Sequence, residues 1–509
     1  MTPEAVVLRA GAAALVAFPT GLLLIPVMIA LARRLNFVAA PRKDRWGSRP
    51  TALMGGVAIY AAASLAVFAA VPDFRPLAGL YLAGTAMFVV GLIDDIFTLG
   101  PHYKLLAQVV AACILVAFGV HFAFAGHPLF SIALTLLFVV GITNAINLLD
   151  NMDGLAAGIA LVSSLVLVAG GALTGRPMSA ITAGALAGAL LAFLIFNFYP
   201  ARVYMGDCGS LFLGLMLAGL AIRTSGSITT MSGAILFPAI VLAIPIFDTA
   251  FVTIVRTING RAISEGGCDH TSHRLVRLGL SEPQTVLLLC AASLLFGWLG
   301  VLAMTYRSVA LFVTGALAAA LLLTSGHVLA QVRVYQDPEG AQPPDEPSAF
   351  DPVRLYKKHF AAALVDVLLA VAAFLAAVEA LRVSGIGDIR HTLMITSPAA
   401  IGGAAVGMGV AGVYREVRAG LWKRLLMRLA AGAAIAGAAS FAACALVTGV
   451  ELAAVLCLLY CTLLLALCAS VRGLYRIAGD AIVRANSVQP GPVDGGEPPL
   501  EPQTQEGTV

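Results

Sequence analysis

The sequence predicts an all-α polytopic membrane protein of about fifteen transmembrane helices, roughly eleven followed by four, with its polar chemistry facing the cytoplasm. Three observations carry that expectation. Of 509 residues, 60% are hydrophobic and 11% charged, and mean hydropathy is +0.94, whereas soluble domains carry about a quarter charged residues. Apolar stretches long enough for a bilayer, roughly 20 residues each, follow one another with little room for a water-soluble domain between them. Lys and Arg sort to alternate loops, which is the signature of a fixed orientation.

The first stretch, about 9–32, is too long for a signal h-region and lacks a basic leader, so it reads as a retained helix. Further spans follow near 52–71, 78–93, 105–121, 129–148, 155–174, 178–197, 209–222, 232–255, 285–304 and 308–331. A polar stretch at 332–358, holding Gln336-Asp337-Pro338-Glu339-Gly340 and Pro343-Pro344-Asp345-Glu346-Pro347, reads as a linker. Four more spans, near 360–381, 392–413, 428–448 and 452–471, make a second membrane unit within 359–480. The tail at 485–509, rich in Pro, Gly, Glu and Gln, has no apolar face and is expected to be disordered.

With the N-terminus outside, only Arg9, Arg75, Arg176, Arg223, Arg307, Arg382 and Arg390 fall on the outer side, seven of 31 basic residues. The polar clusters of the first unit then sit at cytoplasmic span ends. A formal net charge of +4 with no basic run interleaved with aromatics excludes a nucleic-acid binder. Six of eight cysteines fall in apolar spans and no CxxC occurs, so neither a disulfide framework nor a zinc site is indicated.

Four clusters carry candidate chemistry. Asp94-Asp95 ends the third span, with Lys104 and Gln108 opening the fourth. Paired acids at a membrane boundary are costly unless they bind a cation, take a proton or end a helix in water, and Lys104 suits either a phosphate as a point charge or a snorkelling stem. Asn144, Asn147, Asp150 and Asp153 recur every three residues, which places them along one side if the segment stays helical. Such a strip of amides and acids suits Mg2+ and a sugar or uracil edge. Asn197 precedes Met205-Gly206-Asp207-Cys208-Gly209-Ser210, where Asp207 lies between glycines at a helix start; a metal ligand beside an anion and a plain helix cap are both consistent with that position. Finally, the loop near 256–284 holds Arg256, Arg261, Asp269, His270, His273, Arg274 and Arg277, a set that fits a diphosphate.

In this order, the clusters resemble the polyprenyl-phosphate N-acetylhexosamine-1-phosphate transferases, bacterial enzymes that initiate O-antigen, enterobacterial common antigen, teichoic acid and peptidoglycan lipid intermediates. The motif match covers about 33–284, and 1–331 becomes the transferase domain. The resemblance implies Mg2+-dependent transfer, with Mn2+ as an alternative, of a hexosamine 1-phosphate from a UDP-sugar to undecaprenyl phosphate, releasing UMP, at the bacterial inner membrane. It implies catalytic roles for Asp94, Asp95, Asp150 and Asp153, and substrate binding by Lys104, Asn144, Asn197, His270, His273 and Arg274. Asp207, Asn147 and Asp153 are the implied metal ligands. Two departures touch donor recognition. Asp44-Arg45-Trp46-Gly47 stands where the family has a His, and His-x-His-His is reduced to His270-Thr271-Ser272-His273.

The second unit resembles the membrane part of polysaccharide-biosynthesis nucleotide-sugar epimerase/dehydratases, through Arg354-Leu355-Tyr356-Lys357-Lys358, Asp366, Gly412-Val413-Tyr414-Arg415 and Val471-Arg472-Gly473-Leu474-Tyr475-Arg476. No dinucleotide fingerprint follows, so this unit is expected to dock downstream glycan-assembly enzymes or membrane lipid. The rival classes are a secondary transporter, whose site would lie near the bilayer midplane, and a scaffold without catalysis.

Overall fold

The computed structural model describes residues 1–39, 50–123, 127–226, 231–262, 267–306, 308–332, 334, 352–383, 389–414, 422–448 and 450–487. Helices supply nearly all regular structure, as lipid requires of a chain that must satisfy its own backbone polar groups. In order they are α1 (Pro3–Arg34), α2 (Gly55–Ala70), α3 (Ala78–Phe97), α4 (Pro101–Ala117), α5 (Pro128–Leu149), α6 (Leu155–Leu173), α7 (Pro177–Asn197), α8 (Gly206–Ser225), α9 (Met231–Val241), α10 (Ala243–Ile258), α11 (Thr271–Arg277), α12 (Glu282–Tyr306), α13 (Ser308–Ala330), α14 (Pro352–Val383), α15 (Ile389–Val410), α16 (Trp422–Thr448) and α17 (Val450–Ser487). Proline opens α1, α4, α5 and α7, where its missing N–H costs nothing. One antiparallel pair, β1 (Val38–Ala39) with β2 (Thr51–Ala52), precedes α2.

Among the described residues, nine helices are long and apolar enough to cross a membrane, ten if one bent pair is a single span, and four shorter apolar helices accompany them. This is a multi-pass, all-α membrane protein. Large apolar side chains face outward, with Leu129 82% and Leu8 76% exposed, while Gln108, Thr135, Thr143 and Ser163 are buried between helices. That inside-out distribution suits lipid as the surrounding solvent. Every stretch expected to span is helical, but 232–255, expected as one span, is α9 and α10 meeting at an angle of 81°. The break falls at Leu242, between Pro238, which removes a hydrogen bond inside α9, and Pro245 in the first turn of α10, where a missing N–H is tolerated.

At the centre, α8 is buried along almost its whole length and lies against α2, α3, α5, α6, α7 and α9. α1 covers α7 and α2 from outside, and α12 covers α6. Beyond it, α14, α15, α16 and α17 form a second bundle around Phe374, Met408, Ala436 and Tyr460. α13 packs along α14, and its Ala320 belongs to that second core, so the boundary expected at 331 separates two packed elements. Inside this bundle Arg472 of α17 grips Asp366 of α14 through two bonds of 2.7 and 2.6 Å. α17 runs on to Ser487, past the ends expected at 471 and 480 and into the tail expected to be disordered; the first proline able to stop it is Pro490. Asp44-Arg45-Trp46-Gly47, the Pro-rich linker sequence, Arg415, Arg418 and the tail from 488 lie outside the described residues.

Candidate active site

The site is assembled where α3 ends and α8 begins. α3 closes at Thr98, whose positive φ turns the chain, and the following Leu99 N–H donates to Asp94 Oδ1 at 2.6 Å. Pro101 then starts α4, which carries Lys104 back over the acids. α8 has no capping side chain of its own. Asp95 supplies one from the neighbouring helix: its Oδ1 accepts the Asp207 N–H at 2.8 Å and its Oδ2 the Cys208 N–H at 3.0 Å. A carboxylate there satisfies orphan donors and faces the positive end of the helix dipole. The close approach depends on small residues. A Cβ on Gly91 would run into the Asp207 carbonyl, and one on Gly56 into the Gly209 backbone.

Asp207 is thereby aimed at Lys104, whose Nζ lies 2.7 Å from Asp207 Oδ2 and 2.5 Å from Asp94 Oδ2. The Asp207 and Lys104 side chains are about a quarter exposed while Asp94 is buried, so the charged group opens to a ligand from one side. From α5, Asn147 Nδ2 donates to Asp207 Oδ1 at 3.2 Å and to Ser210 Oγ at 2.8 Å. One turn back, Asn144 exchanges two amide hydrogen bonds with Gln108 of α4, at 2.5 and 3.1 Å. Asp94, Asp95, Lys104, Asn147 and Asp207 therefore form one group, with Asn144 bracing α5 against α4.

Six expected site residues stand apart from it: Asp150, Asp153, Asn197 and Arg274, and the two histidines of a separate segment. The polar strip does not continue: α5 ends at Leu149 and Asp150 caps it, followed by a turn to Gly154 at φ +78°, so Asp150 and Asp153 leave the face that Asn144 and Asn147 share. Asp153 Oδ2 instead accepts the Ala201 N–H at 2.8 Å. Asn197 is buried, with Oδ1 taken by the Gly154 N–H and Nδ2 donating to the Val203 carbonyl, so it ties the two loops together. Arg274 donates to the carbonyls of Asp269, Leu329 and Val332 and stacks over Phe251, which spends its guanidinium on the fold.

The histidine segment is anchored to α10. His270 Nδ1 lies 2.7 Å from Asp248 Oδ2, and Asp248 Oδ1 accepts both the N–H and the hydroxyl of Thr271. Asp269 meets Arg256 through two bonds of 2.8 and 2.6 Å; burial would raise its carboxyl, but the guanidinium outweighs burial and holds it below the usual carboxylate range. His273 stands 6.3 Å from His270 between ring centres, and Ser272 donates to Asn151 at 2.9 Å, which joins this segment to the turn after α5. Gln108 and Ser210 stood in the expected clusters without an assigned role, whereas Asp248 and Glu282, the latter close enough to Asp153 for their charges to repel, were not among the expected residues. The available signal for Asp248 was an acid inside an apolar run.

The oxygens gathered at the start of α8, from Asp94, Asp207 and Ser210, are hard donors of the kind Mg2+ takes, and the Asn147 amide NH2 holds two of them in place. Among the described residues no three His, Cys, Asp or Glu side chains converge as a complete cage. That donor set fits Mg2+, which is ordinarily held by one or two carboxylates together with substrate phosphates and water.

A family model described as glycosyl transferase family 4 matches residues 77–225. The chain is 33% identical over 301 residues to the probable undecaprenyl-phosphate N-acetylglucosaminyl 1-phosphate transferase of Bacillus subtilis, covering 57% of this chain and 83% of that protein. It is 31% identical over 356 residues to the decaprenyl-phosphate N-acetylglucosaminephosphotransferase of Mycolicibacterium smegmatis, covering 62% and 86%. With the phospho-N-acetylmuramoyl-pentapeptide-transferase of Heliobacterium modesticaldum the identity is 32% over 316 residues, covering 57% and 95%.

Proposed function

Since the chain belongs to glycosyl transferase family 4 and is a sugar-phosphate transferase, we propose that it moves an N-acetylhexosamine 1-phosphate from a UDP-sugar to undecaprenyl phosphate, releasing UMP, at the cytoplasmic face of a bacterial inner membrane. The observation that carries this reading is the Lys104 ammonium held between Asp94 and Asp207 at the start of α8. Acceptor and donor are both phosphate anions, and they approach each other only where positive charge is fixed in place.

Lys104 supplies part of that charge and orients a phosphate by exchanging a carboxylate partner for it. Backbone N–H groups at the α8 start and the helix dipole add to it. Asp95 positions this helix end, since both its oxygens are committed to α8. Asp94, the acid paired with Lys104, takes the acceptor's remaining proton; a phosphate monoester is already largely ionised near neutrality, its second pKa being about 6, so alignment contributes more than base strength. Asp207, with Asn147 and Ser210 beside it, would hold Mg2+. When bound there, the ion would supply positive charge to offset the charge on the leaving nucleotide. His270 and His273 read the sugar nucleotide from the opposite loop.

The test is transfer from a panel of radiolabelled UDP-sugars to undecaprenyl phosphate by the purified full-length protein, with UMP measured. One donor giving stoichiometric UMP and a lipid-linked product supports the reading, and UMP release without lipid labelling overturns it.

A further inference from the structure

Asp248 lies on α10, inside the bent pair, and its side chain is completely buried. An ionised acid so placed is tolerated only where its hydrogen bonds are filled. Among the described residues they run to one short segment: Oδ2 to His270 Nδ1 at 2.7 Å, and Oδ1 to the Thr271 N–H at 2.8 Å and the Thr271 hydroxyl at 2.6 Å. Both Thr271 groups donate to Oδ1, the pattern that favours the ionised carboxylate, and in that state Oδ2 can only accept. The ring nitrogen facing Oδ2 must therefore carry a proton.

We propose that Asp248 is the positioning residue of the donor site, holding His270 in the tautomer protonated on Nδ1 and so keeping Nε2 as an acceptor for a hydroxyl or amide N–H of the sugar nucleotide. The donor-binding part rests on the functional reading above; the tautomer does not. Thr271 is essential to the argument. A carboxylate facing a single histidine can pair with either protonation pattern after a small shift, whereas one already receiving two donors on its other oxygen stays fixed in plane. Of the two arginines beside this loop, Arg256 pairs with Asp269, and Arg274 donates to backbone carbonyls. His270 itself is 5% exposed and sits at the start of α11, which leaves its ring little freedom to turn over.

Replacing Asp248 by Asn keeps the shape and reverses the requirement. The amide oxygen continues to serve Thr271, the amide NH2 faces His270, and Nδ1 becomes an acceptor with the proton on Nε2. A triad carboxylate changed to its amide has this effect in serine proteases, where the geometry survives and turnover collapses through the wrong tautomer.

The first measurement is the 15N spectrum of the full-length, histidine-labelled protein in bilayers, above the ordinary histidine range of about 6.5. The chain has eight histidines, so the His270 signals are assigned by their loss in His270→Gln. Wild type is expected to show protonated Nδ1 and bare Nε2, and Asp248→Asn the reverse. Protonated Nε2 in the wild type overturns the proposal whether or not any variant folds. The second measurement is kinetic. Asp248→Asn should lower kcat/KM for the donor at least tenfold and leave KM for the lipid acceptor within twofold. In the His270→Gln background, where the amide oxygen replaces Nε2, it should have no further effect. A further tenfold loss there would mean that Asp248 acts by holding α10 to α11 and not through the ring. If wild type transfers no sugar phosphate at all, the functional reading fails while the spectra still decide the tautomer.

Discussion

The Asp95 carboxylate accepts the backbone N–H of Asp207 at 2.8 Å, across 112 positions of sequence. Two acids from separate motifs thus divide their labour. Asp95 fixes the end of α8, and Asp207, held by that end, is left to face Lys104 and the substrates.

Asp207→Asn should abolish Mg2+-dependent UMP release while expression and membrane insertion stay normal. The amide keeps the volume but loses the charge that holds a divalent ion and Lys104. Wild-type turnover in this variant at low Mg2+ would remove Asp207 from the metal site.

Asp94→Asn and Asp95→Asn should part company. Both lower kcat, but only Asp95→Asn should also lower the unfolding temperature, because an amide can accept just one of the two N–H groups at the α8 start. Loss of a helix cap costs about 0.5–2 kcal/mol. Thermal unfolding of the two variants side by side checks this, and equal melting with equal turnover contradicts the division of roles.

Asn197→Ala should act on stability before activity. It strands the buried Gly154 N–H and Val203 carbonyl, at about 1–3 kcal/mol. The variant should melt several degrees lower and, at a temperature where it remains folded, retain a donor KM within about threefold of wild type. A large rise in donor KM without a change in melting would return Asn197 to the substrate.

Cysteines placed at Gly260 and Asp73, both exposed, test orientation. In intact cells a membrane-impermeant thiol reagent should label Asp73→Cys and spare Gly260→Cys until the cells are opened. Gly260→Cys reacting from outside would put the histidine segment on the wrong side for a nucleotide donor.

The sequence by itself determined the membrane class, the positions of the helices and the identity of the central acids. Hydropathy is a local property, and charged residues grouped at the ends of apolar runs are visible without the fold. Asp94, Asp95, Lys104 and Asp207 could be picked out in this way. Tertiary structure decided their roles, because a role depends on which neighbour fills which lone pair. Asn144 and Asn147 look like equivalent members of a three-residue repeat, yet one braces α4 through Gln108 and the other meets Asp207. Asp153 continues that repeat on paper, but α5 stops at Leu149 and the turn carries it to Ala201. Arg274 carries the charge expected of a phosphate ligand and spends it on three backbone carbonyls. Asp248 drew no attention as one acid in a long apolar stretch, and its meaning comes from a bend of 81° between α9 and α10 and from the histidine packed against the second of them. Spacing along one helix can be counted from the sequence, but contacts between residues far apart in the chain exist only once the helices have packed.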